Sequence, residues 1–375
     1  MKRRLCAAVC AGLFLLLTAC GGKPSGLDAA EVDISHLVMR DMEAYLDTLK
    51  VIELPEDMAW LPFRLTRPEP NITPVFQRYA DGHMVELWYH MFRDWEWCVQ
   101  RCDLQTGEWE YLVYDQDAPF DFADVWNMLA YGNRVFFCVG LGEELPPFLA
   151  GSPRYFASSA IYEYDLETRA FSELYEIDGS NLNVENNRYL WACYRVNYGR
   201  QPEFWHMTVL DVGTGVSVEF ASDELGDVLK HWDQDGASSR TSFHNGTVIY
   251  PDSRLDEDGE YRSDIVTKNL ETKQELRRIR TDTRIYRAYR NESGLVWSWR
   301  WRAQNPRVGI SFYDGKEVFD WSGDRLSFRE YGCLERYLLF VLTDKDTGEE
   351  RYLFIDPKEK TVFTLDTLAF SPYVW

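Results

Sequence analysis

Six stretches of the chain write one turn over again. "CDLQTGEWEYL" at 102–112 returns as "YDLETRAFSEL" at 164–174, "LDVGTGVSVEF" at 210–220 and "KNLETKQELRRI" at 268–279. Shorter echoes are "FYDGKEVFDW" at 312–321 and "FIDPKEKTVFTL" at 354–365. An Asp that bonds its own turn and a Gly free to take positive φ suit a tight hairpin between two strands. Upstream of each hairpin lies a further β-like run behind a Gly or Asn turn, for example "GNRVFFCVG", "NNRYLWACYRV" and "NGTVIYP". A less regular run precedes each of these, such as "TPVFQRYA", "TRIYRAYR" and "DRLSFREY". That makes four antiparallel strands per unit, and six units over residues 73–366 average 49 residues each. A period of about 40–50 residues with four strands per repeat is the signature of a β-propeller. One open sheet of so many strands would leave long bare edges, which radial packing of blades avoids. The expected fold is therefore all-β, with six four-stranded blades, or seven if residues 51–70 and the terminal "LAFSPYVW" combine into another. The six turn residues Asp103, Asp165, Asp211, Asn269, Asp314 and Asp356 should occupy equivalent outer hairpins.

The first residues carry an address. Lys2, Arg3 and Arg4 precede an apolar run from Leu5 to Leu17. The run is shorter than the ~20 residues a helix needs to span a bilayer, and it fits the core of a secretory signal. It ends in Leu17-Thr18-Ala19-Cys20, followed by Gly21 and Gly22. This stretch resembles the lipobox of bacterial lipoproteins: Leu17 at minus three, small Ala19 at minus one, then Cys20. The resemblance implies cleavage before Cys20, diacylglycerol on its thiol and acylation of the new amine, chains that together anchor firmly. Residues 1–19 are then a signal peptide, 20–32 a flexible tether, 33–72 a short helix with an irregular lead-in, and 73–375 the propeller. The helix rests on Val38, Met42, Tyr45, Leu46 and Leu49, which recur at helical spacing between Ile34 and Lys50. The expected place is the cell envelope, on the extracytoplasmic side of a bacterial membrane, with that membrane as a partner through Cys20.

Charge narrows the remaining partners. The chain holds 40 basic and 61 acidic residues, and loss of the signal leaves 37 against 61, a net −24. Such a balance excludes general nucleic-acid binding and electrostatic adhesion to anionic lipid. The blades lack the WD dipeptide, the kelch glycine doublet and the Asp-box of sialidases. In rhythm and turn they resemble the degenerate propellers of exported bacterial proteins, the TolB-like and DUF5050-like kind. That resemblance implies binding or scaffolding more than catalysis.

No HExxH, GxSxG, Walker A or GxGxxG motif occurs, so no catalytic residue and no cofactor is expected. The six histidines lie without ligand spacing, and the acidic loops 233–236, 256–259 and 344–349 lack the full alternation of a calcium loop. They read as hairpin turns, and no metal is expected. Cys98, Cys102, Cys138, Cys193 and Cys333 read as small buried hydrophobes. Two features point to a ligand. Trp297, Trp299 and Trp301 alternate onto one strand face, where they would either stack on a sugar or pack between blades. Residues 268–307 hold 11 basic and four acidic residues. Arg240, Arg284, Arg287 and Arg329, with Arg78, fall in the first strands of blades, the strands that line a propeller's axis. Converging guanidiniums would bind carboxylate or phosphate groups; otherwise they pair with acidic neighbours between blades. The expected function is that of a lipid-anchored module for a protein, an anion or a carbohydrate. The alternatives are an exported carbohydrate-active enzyme with paired carboxylates in the funnel, or a structural subunit of an envelope complex.

Overall fold

The computed structural model describes residues 30–366 apart from 63–64, 67–72, 90–96, 122–124, 142–157, 179–182, 186–187, 197–203, 222–223, 227–240, 256, 258, 260, 292–293, 301–307, 321–325, 335 and 345. Three short strands come first: β1 (Glu31–Asp33), β2 (Arg40–Asp41) and β3 (Lys50–Val51), with helix α1 (Met42–Leu46) between the last two. Six sheets of four consecutive strands follow. Blade 1 is β4 (Thr73–Ala80), β5 (His83–Tyr89), β6 (Trp97–Asp103) and β7 (Trp109–Tyr114). Blade 2 is β8 (Val125–Tyr131), β9 (Arg134–Leu141), β10 (Ser158–Asp165) and β11 (Ala170–Asp178). Blade 3 is β12 (Asn183–Glu185), β13 (Tyr189–Val196), β14 (Phe204–Asp211) and β15 (Val216–Phe220). Blade 4 is β16 (Ser242–His244), β17 (Thr247–Leu255), β18 (Tyr261–Asn269) and β19 (Glu275–Arg280). Blade 5 is β20 (Ile285–Arg290), β21 (Leu295–Arg300), β22 (Val308–Tyr313) and β23 (Val318–Asp320). Blade 6 is β24 (Leu326–Leu334), β25 (Tyr337–Asp344), β26 (Glu350–Asp356) and β27 (Thr361–Leu365). The fold is a six-bladed β-propeller. Residues 50 and 51 add a strand to blade 6 rather than begin a seventh blade.

The repeated turn sits where its sequence places it. Asp103, Asp165, Asp211, Asn269, Asp314 and Asp356 each end the third strand of a blade or directly follow it. Each side-chain oxygen accepts from a backbone N–H two or three residues on, at 2.7–3.1 Å. Four residues after the turn residue, Gly107 and Gly215 take φ of +77° and +74°. At the same place Arg169, Lys273 and Lys360 take φ of +55°, +59° and +53°. A left-handed side-chain residue costs about 1–2 kcal/mol, so the Asx turn holds the motif where its glycine has drifted away. The turn N–H groups of Thr106 and then Gln105 hold the Asp103 carboxyl below the usual carboxylate range. A depressed folded pKa gives stability that is present above the unfolded value and lost as pH falls through the folded one. Asp103→Asn keeps the turn, as Asn269 does in blade 4, but removes the titration. Its urea midpoint should therefore fall less than that of the wild type between about pH 5 and about pH 2. Equal slopes would show that this carboxylate adds nothing to the acid limb.

The core is divided among the six seams between blades. Strand alternation sends Val135, Phe137 and Val139 of β9 towards Val85, Leu87 and Val99 of blade 1. Phe136 and Cys138, between them in sequence, meet Leu190, Ala192 and Leu210 of blade 3. Blades 3 and 4 meet through Trp191, Phe220, Phe243 and Tyr250. Blades 5 and 6 meet through Phe312, Phe319, Phe340 and Ile355. Cys98, Cys102 and Cys138 are buried free thiols, as expected; Cys193 and Cys333 have side chains outside the described set.

The segment before blade 1 departs from the sequence reading. Among the described residues only Met42–Leu46 is α-helical, with Asp41 accepting from Glu43 N–H at 3.0 Å as its N-cap, and Glu56–Met58 forms a single 3-10 turn. The rest is a strap. β1 pairs in parallel with β19, β2 with β23 and β3 with β27, so the outermost strands of blades 4, 5 and 6 each gain a fifth partner. The open edges of these blades offer backbone partners that a longer helix would forgo. The apolar positions used to infer the helix do serve the core: Met42, Tyr45 and Leu49 enter the seam between blades 5 and 6. Val38 does not, and is 84% exposed. Val32, Ile34, Leu37 and Met39 cover the seam between blades 4 and 5. Beyond β3, Met58, Trp60 and Leu61 wedge between blades 6 and 1, where the ring closes.

Candidate functional site

The inner strands β4, β8, β12, β16, β20 and β24 stand around the axis. Four of them carry a β-bulge near their start, at Val75, Trp126, Tyr286 and Arg329. A bulge shifts the alternation and re-aims the side chains that follow. In an otherwise apolar interior, these strands bring a set of polar groups together.

Glu185, at the end of β12, is 6% exposed. Its Oε2 accepts from Arg287 Nη2 of blade 5 at 3.0 Å, and its Oε1 accepts from Phe243 N–H of blade 4 at 3.2 Å. Blades 3 and 5 are not neighbours, so this ion pair spans blade 4 along the axis. Ser242 of blade 4 adds a 2.6 Å bond from its hydroxyl to the Ala288 carbonyl of blade 5. The Arg287 guanidinium also lies over the Tyr289 ring, 4.4 Å from its centroid. Burial pushes the Glu185 carboxyl up, while Arg287 and the Phe243 N–H pull it back.

On the other side of the ring, Arg78 of β4 donates from Nη2 to Asn127 Oδ1 of β8 at 2.6 Å, and from Nη1 to the Gln77 carbonyl at 2.7 Å. Both acceptors are neutral. Its Nε is buried with no hydrogen-bond partner. Burial pushes its guanidinium down to about 10, with Cys138 acting in the opposite direction. Opposite Gln77 on β5, Glu86 is fully buried and accepts from the Gln77 side chain and, at 2.6 Å, from Trp88 Nε1.

Of the residues singled out in the sequence, Arg287 lies at the axis but is engaged by Glu185. Arg284 sits over the Tyr261 ring, 5.7 Å from its centroid, at the start of β18 rather than beside Arg287. Arg240 and Trp301 lie outside the described residues, as do the side chains of Arg329 and Trp299. Trp297 is 1% exposed and packs in the seam between blades 4 and 5 with Ile249, Ile285 and Tyr313. It is a core residue and presents no face on which a ligand could stack. Asn127 and Glu185 were not anticipated. The one signal for Glu185 was its place just before the Asn186-Asn187 turn, at the end of a first-strand run.

Among the described residues, no group of His, Cys, Asp and Glu is arranged to hold a metal ion. The 344–349 loop is an Asx hairpin in which Asp344 accepts from Asp346 and Thr347 N–H. The 233–236 loop and residues 256 and 258 lie outside the described residues. Burial pushes the Cys102 and Cys138 thiols up to about 11 and about 12, which removes them as nucleophiles near neutral pH.

No family model and no curated protein matches the chain. Among solved structures it is similar to the β-propeller domain of the trilobed protease from Pyrococcus furiosus. Identity is 12% and the TM-score 0.47, over 77% of this chain and 82% of that one. It is also similar to Pyrococcus horikoshii acylaminoacyl peptidase, at 12% identity and a TM-score of 0.46, over 76% of this chain and 49% of that one. A third is Porphyromonas gingivalis dipeptidyl peptidase 4, at 14% identity and a TM-score of 0.44, over 83% and 48%. The likeness is one of fold. The chain spans about half the length of the two whole peptidases.

Proposed function

We propose that the protein is a lipid-anchored β-propeller on the extracytoplasmic side of a bacterial membrane, working as a binding module through its axial face. One observation carries the binding reading: polar segregation. The seams are closed by apolar side chains, whereas the inner strands gather Arg78, Asn127, Glu185 and Arg287 from blades 1, 2, 3 and 5. Retaining such groups near the centre of a fold is costly unless they meet partners. The tether reading rests on the Leu17-Thr18-Ala19-Cys20 motif. Among the described residues no helix is long and apolar enough to cross a membrane.

Cys20→Ser should move the protein from the membrane fraction to the soluble exported fraction. Unchanged membrane retention would defeat the anchor. The released variant also serves for the second half of the reading. Peptides, oligosaccharides and small anions that raise its melting temperature should slow amide exchange in β4, β8 and β20. Protection confined to outer strands such as β7 and β15 would remove the axis as the site.

A further inference from the structure

Several of the partly buried arginines face a carboxylate. Arg134 has Glu163, Arg188 has Asp211, Arg254 and Arg278 share Asp264, and Arg287 has Glu185. Arg78 differs. It stands on an inner strand, its two hydrogen bonds end on neutral oxygens, and it forms no ion pair. A guanidinium offers five N–H donors in a planar fork, and Arg78 uses two of them. The contact with Asn127 holds the fork at the junction of β4 and β8, so its direction is fixed before any ligand arrives.

We propose that Arg78, held by Asn127, is an oxyanion subsite on the axial face that takes a carboxylate or phosphate group of a small ligand. The proposal rests on the binding-module reading and names the chemistry of its site. The anion would sit on the Nη1 and Nη2 edge of the fork, since Nε is enclosed. It would supply the counter-charge that Arg134, Arg188, Arg254, Arg278 and Arg287 draw from protein carboxylates. A planar fork suits paired oxygens, and this geometry favours Arg over Lys. It follows that Arg78 is kept for a ligand and not for the fold. A buried cation without a partner is a burden on stability, and replacing it by an apolar side chain of similar length is often neutral or stabilising.

The test titrates inorganic phosphate and citrate, separately, into the Cys20→Ser protein carrying Arg78, Arg78→Met or Arg78→Lys. Ionic strength is held constant with chloride, and binding is read by calorimetry and by melting temperature. With Arg78 present, one of the two anions should bind saturably and raise the melting temperature. Arg78→Met should lose that binding and melt no lower than the parent without anion. Arg78→Lys keeps the charge but loses the fork, so affinity should weaken at least about tenfold. Phosphate binding without citrate binding would assign the subsite to phosphoryl groups, and the reverse to carboxylates. Equal anion binding by the parent and Arg78→Met overturns the inference, yet leaves an axial binding module with its site elsewhere. An anion-independent drop in the stability of Arg78→Met overturns it too, because Arg78 would then be structural. Absence of saturable binding by the parent overturns it as well. In each case the exchange experiment on β4, β8 and β20 still judges the broader reading by itself.

Discussion

Glu185→Ala is expected to destabilise the protein by about 3–5 kcal/mol, the cost of breaking a buried ion pair from one side. The variant takes away the carboxylate that Arg287 meets at 3.0 Å and the acceptor used by Phe243 N–H. Three blades lose their shared contact in one step. Glu185→Gln should cost less, since an amide oxygen still accepts. Joining Arg287→Met to Glu185→Gln should recover part of the loss, and the non-additivity measures the pair directly. Urea unfolding of wild type, both Glu185 variants, Arg287→Met and the double variant decides the matter, and an alanine variant within about 1 kcal/mol of wild type would reduce the pair to a bystander. The same variants carry a pH signature. Burial raises the folded pKa of Glu185, so the folded state binds more protons between the unfolded and folded values. Stability from this group therefore declines as pH rises through that window. The glutamine variant should lose that decline.

The closing seam of the ring should be as sensitive. Met58→Ala and Leu61→Ala remove side chains that are 0% exposed, packed among Met84, Cys102, Tyr337 and Phe354. Each truncation should cost about 2–5 kcal/mol, the range for large-to-small changes in a core that cannot collapse around the space. The position in the ring makes the effect global. Every blade is built from consecutive strands, so no strand from one end of the chain completes a four-stranded blade begun at the other. Blades 6 and 1 are held by this apolar wedge and by the pairing of β3 with β27. A loss of stability measured by urea midpoint should come with faster amide exchange in both blades. A cost below about 1 kcal/mol would mean that the two blades close without the wedge.

The repeat was legible because hairpin chemistry is local. An Asp or Asn followed within four positions by a residue with positive φ announces the same turn whatever the blade around it. The strap was not legible. Strands of two or three residues have no periodicity to detect, and their partners in blades 4, 5 and 6 lie far along the chain. The apolar spacing in residues 38–49 was read as one helical face, although it is divided between a single-turn helix and seam contacts. The tryptophan run left the face of Trp297 open, because seam and solvent faces look alike in sequence. Arg287 was found by its place in a first strand. Its partner Glu185 is 102 residues away and two blades distant, a relation that only closure of the ring creates. The bulge at Tyr286 moved Arg287 off the phase that a regular strand would have given it.

The strap lies between Cys20 and the ring, and this has a mechanical consequence. Ten residues lie between Cys20 and Glu31, and their eleven steps at ~3.6 Å each reach at most ~40 Å. A lipid at Cys20 would hold the propeller by the rim of blade 4, within that distance of the bilayer. Any pull between the membrane and a captured partner would then load the three paired residues of β1 first, next β2 and α1, then β3. The wedge at Met58–Leu61 would feel the force last. The strap would act as a series of breakable links that yields under load while the ring, and whatever it holds at its axis, stays closed.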